Sequence, residues 1–185
     1  MIVGILAVQG AFAEHEICLR KLGVQTRLIR QLPDLEGIDR LVLPGGESTT
    51  QRKLLRELGL FEPLKKRLDD GMPALGTCAG LILLAQSLEG DETPCFQKLP
   101  VLVKRNAYGR QLGSFSAVGK VGDLEEFPMR FIRAPYVSEI NDERVRVLSV
   151  TDGRVTGVRL DSIVGLAFHP ELTDDLRIHE AFLKL

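Results

Sequence analysis

The sequence predicts an α/β protein: a three-layer, open, mostly parallel sheet with flanking helices and an antiparallel extension. Three observations carry that prediction. In the first half, short apolar runs alternate with stretches of helical spacing, the pattern of strands buried on both faces of a parallel sheet. After Gln86 the helical spacing gives way to short strand-like segments, with turn pairs such as Asp152-Gly153 and Asp161-Ser162 that favour hairpins. The loops of chemical interest follow apolar runs and so fall at the carboxyl ends of strands, where open α/β sheets bind ligands.

Taken in order, residues 2–8 are a nearly continuous apolar run and predict a first buried strand. Gln9-Gly10-Ala11 breaks it. Residues 12–22 have helical spacing, with Gly23 as the stop. Residues 24–29 alternate as a second strand, and Leu41-Val42-Leu43 forms a short third. Helical stretches at 49–58 and 61–70 precede the apolar run 72–75, the turn 76–80 and an apolar helical stretch at 81–85. Beyond Gln86, residues 99–103, 114–121, 131–133, 144–150, 155–160 and 163–168 read as short strands, and 174–185 as a closing helix. No repeat, low-complexity tract or long linker divides the chain, so one domain over residues 1–185 is expected.

Composition narrows the function classes. A formal net charge of −1 with 26% charged residues gives no electrostatic reason to expect nucleic acid or an acidic membrane as partner. Trp is absent and aromatic residues are few, which argues against base-stacking platforms. Cys18, Cys78 and Cys95 form no CxxC pair, and their odd number argues against a disulfide framework. The N-terminus lacks the basic stretch of a signal peptide, and no apolar run reaches the length of a membrane span. A reducing, cytoplasmic setting is expected.

Gly76-Thr77-Cys78-Ala79-Gly80 joins a strand-like run to a helical one, the setting of a nucleophile elbow with Cys in place of Ser. A side chain at Gly76 or Gly80 would collide with the neighbouring strand or helix. Cys78 would sit at a helix N-terminus, where N–H groups and the helix dipole favour a thiolate, and the Ala79 N–H could help hold an oxyanion. The same pentapeptide also fits a buried Cys in a Gly-rich turn. Phe168-His169-Pro170-Glu171 follows the last apolar strand: His169 can serve as base to the thiol, and Glu171 can orient the imidazole and favour imidazolium. Pro44-Gly45-Gly46-Glu47-Ser48-Thr49-Thr50 leads from the third strand into a helix, either as an oxyanion site or as a Gly-Gly turn with a helix cap. It is not a Walker loop, and no GxGxxG pattern is present. Arg105 to Gln111 reads as a surface loop whose arginines could grip a carboxylate, and Arg133 is a similar case. His15 and His179 read as surface or helix-packing residues, with His15 near the site because it follows Gln9-Gly10. Neither histidine nor cysteine spacing suggests a metal site, and no cofactor is expected.

The elbow and His169-Pro170-Glu171 together resemble the signature of class I (triad) glutamine amidotransferases. The ordered set of remaining segments narrows the resemblance: Gln9-Gly10-Ala11 with Glu14-His15, the Pro44–Thr50 loop, Arg105-Asn106-Ala107-Tyr108-Gly109-Arg110-Gln111, and Phe131-Ile132-Arg133-Ala134-Pro135 are similar to the glutaminase subunits of pyridoxal 5′-phosphate synthase. The resemblance spans essentially the whole chain and implies a class I amidotransferase-like, flavodoxin-like fold. It further implies that Cys78 attacks the amide of L-glutamine, with His169 as base and acid and Glu171 as its orienter. Gly46 and Ala79 would supply oxyanion donors, Gly46, Glu47, Ser48, Arg105, Ile132 and Arg133 would bind glutamine, and Gln9 and Gly10 would lie near the oxyanion site and the subunit interface. The implied partner is a (β/α)8-barrel synthase subunit in a hetero-oligomer that receives ammonia. Tyr136 departs from the family pattern, in which His is common.

Overall fold

A computed structural model of the chain describes residues 1–90, 93–105 and 113–185. The apolar runs of the first half become the strands β1 (Ile2–Leu6), β2 (Gln25–Ile29), β3 (Arg40–Leu43) and β4 (Ala74–Thr77). Between them lie the helices α1 (Phe12–Lys21), α2 (Ser48–Glu57) and α3 (Phe61–Asp69), and α4 (Ala79–Leu84) follows β4. The strand β12 (Ile163–Leu166) returns from the C-terminal half to lie parallel to β4. The parallel order β2-β1-β3-β4-β12 is the flavodoxin-type order predicted above. Val3, Ile5, Leu41, Val42, Leu43, Leu75 and Leu166 are all inaccessible to solvent, which is why these strands read as unbroken apolar runs.

Beyond β12 the sheet turns antiparallel. It continues through β11 (Arg154–Leu160), β9 (Tyr136–Ile140) and β6 (Leu99–Lys104) to β5 (Ala85–Leu88), which pairs parallel to β6, while β10 (Arg146–Thr151) pairs with β11. Asp152 and Gly153, both at positive φ, form the two-residue turn between Thr151 and Arg154. The strands β7 (Ser114–Val121) and β8 (Leu124–Ile132) form a separate antiparallel ribbon.

Several boundaries differ from the sequence reading. The strand at 131–133 extends back to Leu124: Phe127, Met129 and Phe131 alternate inward, but Glu125-Glu126 and Pro128 mask the pattern, and a two-stranded ribbon leaves Pro128 a free edge. The strands β5 and β9 have no counterpart in that reading. The closing helix α5 (Arg177–Phe182) is shorter than 174–185: the segment before it is held by the Asp175 carboxylate, which accepts from the Arg177 N–H and guanidinium, and the helix begins at Arg177. Among the described residues, no helix is long and apolar enough to cross a membrane.

Candidate active site

The strand β4 ends at Thr77 and α4 begins at Ala79, so the whole reversal falls on Cys78, whose φ of 48° and ψ of −101° are strained for a residue with a side chain. The flanking glycines permit it. A Cβ on Gly80 would run into the Leu43 carbonyl oxygen of β3, and one on Gly76 would lie 2.6 Å from the Gly80 carbonyl of α4. The turn is further held by the Cys78 N–H, which donates to the Leu166 carbonyl of β12 at 2.8 Å. The Cys78 thiol lies 3.9 Å from the Ile132 carbonyl oxygen at the end of β8.

Because β12 is the parallel neighbour of β4, with Leu166 opposite Thr77, the segment leaving it arrives beside the elbow. The His169 N–H donates to the Arg130 carbonyl of β8 at 2.8 Å, and a 3-10 turn at Pro170–Leu172 brings Glu171 back under the ring. His169 Nδ1 lies 2.7 Å from Glu171 Oε1. All three side chains are buried. Burial alone would depress the His169 pKa, but hydrogen bonds to Cys78 and Glu171, with their charges, outweigh it and raise the value to about 10. Burial likewise pushes the Glu171 carboxyl upward, and the two histidines beside it, His15 and His169, more than reverse this, leaving its pKa lowered. The arrangement favours a His169 imidazolium held against the Glu171 carboxylate.

The Gly45–Gly46 loop closes over this group from the end of β3. Gly45 lies so close to the His169 ring that a Cβ there would overlap Cε1 and stand 2.8 Å from Nδ1. Its N–H donates to Thr77 Oγ1 at 3.1 Å and its carbonyl accepts from the Ala11 N–H at 2.9 Å. Gln9 Oε1 accepts from the Glu47 N–H at 2.8 Å, and Gln51 Nε2 donates to the carbonyls of Gln9 and Pro44. The segment carrying Gln9 and Gly10 is therefore tied to the loop at the junction of β1 and β3. Ser48 is buried at the start of α2.

Glu47 caps α2: its carboxylate accepts from the N–H groups of Thr49 and Thr50 and from the Thr50 hydroxyl. Burial works against its charge, but these donors prevail and lower its pKa to about 2. Arg105 lies 3.5 Å from Glu47 and 3.4 Å from the Thr49 hydroxyl, so these two expected glutamine-binding side chains face each other. Ile132 and Arg133 are exposed beside the elbow, and Arg133 has a φ of 43°. Tyr136 carries the Arg154 guanidinium over its ring. The expected loop segment from Asn106 to Gln111 lies outside the described residues. Among the described residues, no group of three or more His, Cys, Asp or Glu side chains could hold a metal ion.

His15 and His179 are not surface residues. Both are fully buried and face each other behind Glu171, with His15 Nδ1 3.0 Å from His179 Nε2. The expectation that His15 lies near the site holds: its Nε2 is 3.3 Å from Glu171 Oε2 and 3.1 Å from Thr77 Oγ1. That expectation rested on the preceding Gln9-Gly10; the burial of His15 could also have been read from helical spacing, since His15, Cys18 and Leu19 share the inward face of α1.

The model of the SNO glutamine amidotransferase family matches residues 5–185. The chain belongs to this family. A relative from Desulfitobacterium hafniense (strain DSM 10664 / DCB-2), named pyridoxal 5′-phosphate synthase subunit PdxT, is 54% identical over 184 residues, covering 99% of this chain and 92% of the relative. One of the same name from Bifidobacterium longum (strain NCC 2705) is 53% identical over 189 residues, covering 98% of this chain and 99% of the relative. A solved structure described as a glutamine amidotransferase is similar with a TM-score of 0.94 at 42% identity, covering 100% of this chain and 98% of that one. The amidotransferase chain thus shares its mostly parallel sheet and flanking helices with a protein of known structure.

Proposed function

We propose that this glutamine amidotransferase hydrolyses L-glutamine to L-glutamate and ammonia through Cys78, His169 and Glu171, and delivers the ammonia to a synthase subunit that makes pyridoxal 5′-phosphate. The carrying observation is the 2.7 Å contact between His169 and Glu171, at the end of the strand next to the one that ends at the strained Cys78. The names of the full-length relatives support the pathway.

In this mechanism the Cys78 thiolate attacks the side-chain amide carbon of glutamine. The N–H groups of Gly46 and Ala79 hold the oxyanion of the tetrahedral intermediate. The His169 imidazolium gives its proton to the departing nitrogen, releasing ammonia and leaving a glutamyl thioester. His169 then takes a proton from water, whose oxygen attacks the thioester carbon, and Cys78 leaves as thiolate with glutamate as product. Glu171 keeps the imidazole oriented and its cation stabilised throughout. Gly46, Glu47, Ser48, Ile132 and the arginines Arg105 and Arg133 bind the amino acid, an arginine anchoring its α-carboxylate. The whole of residues 1–185 acts as one amidotransferase domain in the cytoplasm.

The partner is a (β/α)8-barrel synthase subunit in a hetero-oligomer, docked near Gln9 and Gly10. Ammonia is lost as ammonium in bulk water, so a closed path to the partner is the physical requirement. Partner binding orders the Gly45–Gly46 loop, and free activity is low. Glutamate release from glutamine, measured with and without the synthase subunit for wild type and Cys78→Ala, tests the reading. Release that requires Cys78 and rises with the partner is expected. Release without Cys78 would overturn the triad, and equal rates with and without the partner would overturn the gated loop.

A further inference from the structure

Behind the triad, Glu171 Oε2 and His179 Nδ1 are buried atoms that lack a hydrogen bond among the described residues. His15 lies between them. Its Nε2 is 3.1 Å from Thr77 Oγ1 and 3.3 Å from Glu171 Oε2, and its Nδ1 is 3.0 Å from His179 Nε2. One proton assignment gives three of these four atoms a partner and leaves the least costly one over. With hydrogen on His15 Nδ1, the ring would turn a lone pair toward a carboxylate and leave His179 Nδ1 with a buried N–H lacking an acceptor. With hydrogen on His15 Nε2, Nδ1 accepts from the His179 Nε2–H. The atom left over is then a lone pair on His179 Nδ1, a cheaper orphan than an N–H.

We propose that His15 is a positioning residue for the triad: its Nε2–H, shared between Thr77 Oγ1 and Glu171 Oε2, fixes the Glu171 carboxylate so that Oε1 faces His169. The inference rests on the triad reading above. Without His15, Oε2 would be a buried anionic oxygen with no donor, free to rotate away or to take up a proton. Thr77 Oγ1 also accepts from the Gly45 N–H, so the same contact couples the carboxylate to the loop that packs on the His169 ring. Burial outweighs the pull of Glu171 and lowers the His15 pKa, so the ring meets Glu171 as a neutral donor. The charged or titratable groups around this pair are Glu14 and Cys18 on α1, His169 and Glu171 after β12, Cys78 after β4 and His179 on α5, with Lys21 and Asp174 facing Cys18.

The test compares His15→Gln, His15→Asn and His15→Leu in the full chain with its synthase subunit, with rates expressed per alkylatable Cys78. A Gln amide nitrogen reaches the place of Nε2, whereas an Asn amide reaches only that of Nδ1. For Asn and Leu, kcat is expected to fall on the order of tenfold or more, the scale of one lost hydrogen bond to a charged group, with KM unchanged. Glu171 then protonates more readily, and the acid limb of kcat moves up by about one pH unit. Gln is expected to restore both the rate and the limb. Asn and Gln behaving alike, or all variants keeping the wild-type profile, would overturn the proposal. Should the Leu variant fail to fold, the Gln and Asn pair still decides. Wild-type glutamate release that disappears in Cys78→Ala leaves the triad reading standing whatever the His15 variants do.

Discussion

His169 Nδ1 and Glu171 Oε1 lie 2.7 Å apart with a single proline between them in the chain, so the base and its orienter share one 3-10 turn. The proximity is local in sequence, and Pro170 limits the backbone that joins them. The contact therefore depends directly on the chemistry of residue 171.

Glu171→Gln keeps an acceptor for the His169 Nδ1–H but removes the charge. Glutaminase kcat is expected to fall by about a thousandfold or more, the scale seen when a triad carboxylate becomes an amide. Burial already opposes the His169 cation, and the hydrogen bond and charge of Glu171 help to raise its pKa to about 10. Removing the charge moves the alkaline limb of the rate profile to lower pH. Steady-state rates from neutral pH to about pH 10 would read both effects. An alkaline limb that stays in place would detach Glu171 from the titration of His169.

His179 makes a separate prediction about stability. Burial, with His15 beside it, lowers its pKa from 6.5 to about 3. Between those values the unfolded chain binds a proton that the folded chain does not, so this site makes stability rise with pH and withdraws it as pH falls. The slope is about 1.4 kcal/mol per pH unit while the difference is one full proton. His179→Gln removes this titration and is expected to flatten the curve over roughly pH 4 to 6. Urea unfolding at a series of pH values measures the slope, and an unchanged slope in the variant would count against a neutral, buried His179.

Local signals were legible in the sequence and distant ones were not. Cys78 in its elbow and the His169–Glu171 pair could be read because each is a short motif after an apolar run, and β1, β3 and β4 could be read as strands because nearly continuous burial makes each an apolar run. The pairing of His15 with His179 joins residues 164 apart in the chain, and no periodicity announces it. β9 follows Pro135, buries only Val137 and pairs with β6 through a register shift, so it lacks the alternation that marks a strand. Glu47 illustrates a different limit. Its carboxylate is occupied as a helix cap and faces Arg105, a state that the residue types alone do not distinguish from an open binding group.

Two glycines near the site separate geometry from stability. Gly80 lies inside α4, where Ala is intrinsically the better helix former by about 1 kcal/mol. Yet a Cβ at Gly80 would strike the Leu43 carbonyl oxygen and stand 2.9 Å from its carbon, and strand backbone cannot move aside as a flexible side chain can. Gly80→Ala is therefore expected to destabilise the fold by about 1–3 kcal/mol despite its helix propensity. For a chain of this length that lowers Tm by about 2–4 °C per kcal/mol. At Gly45 the obstacle is the His169 ring itself, a side chain able to tilt, so Gly45→Ala should displace the imidazole more than it disturbs the core. A displacement of about 1 Å is enough for on the order of a hundredfold loss of kcat. Melting curves and glutaminase rates on both variants should then diverge, Gly80→Ala losing mainly Tm and Gly45→Ala mainly rate. Equal losses of both quantities in both variants would refute the separation.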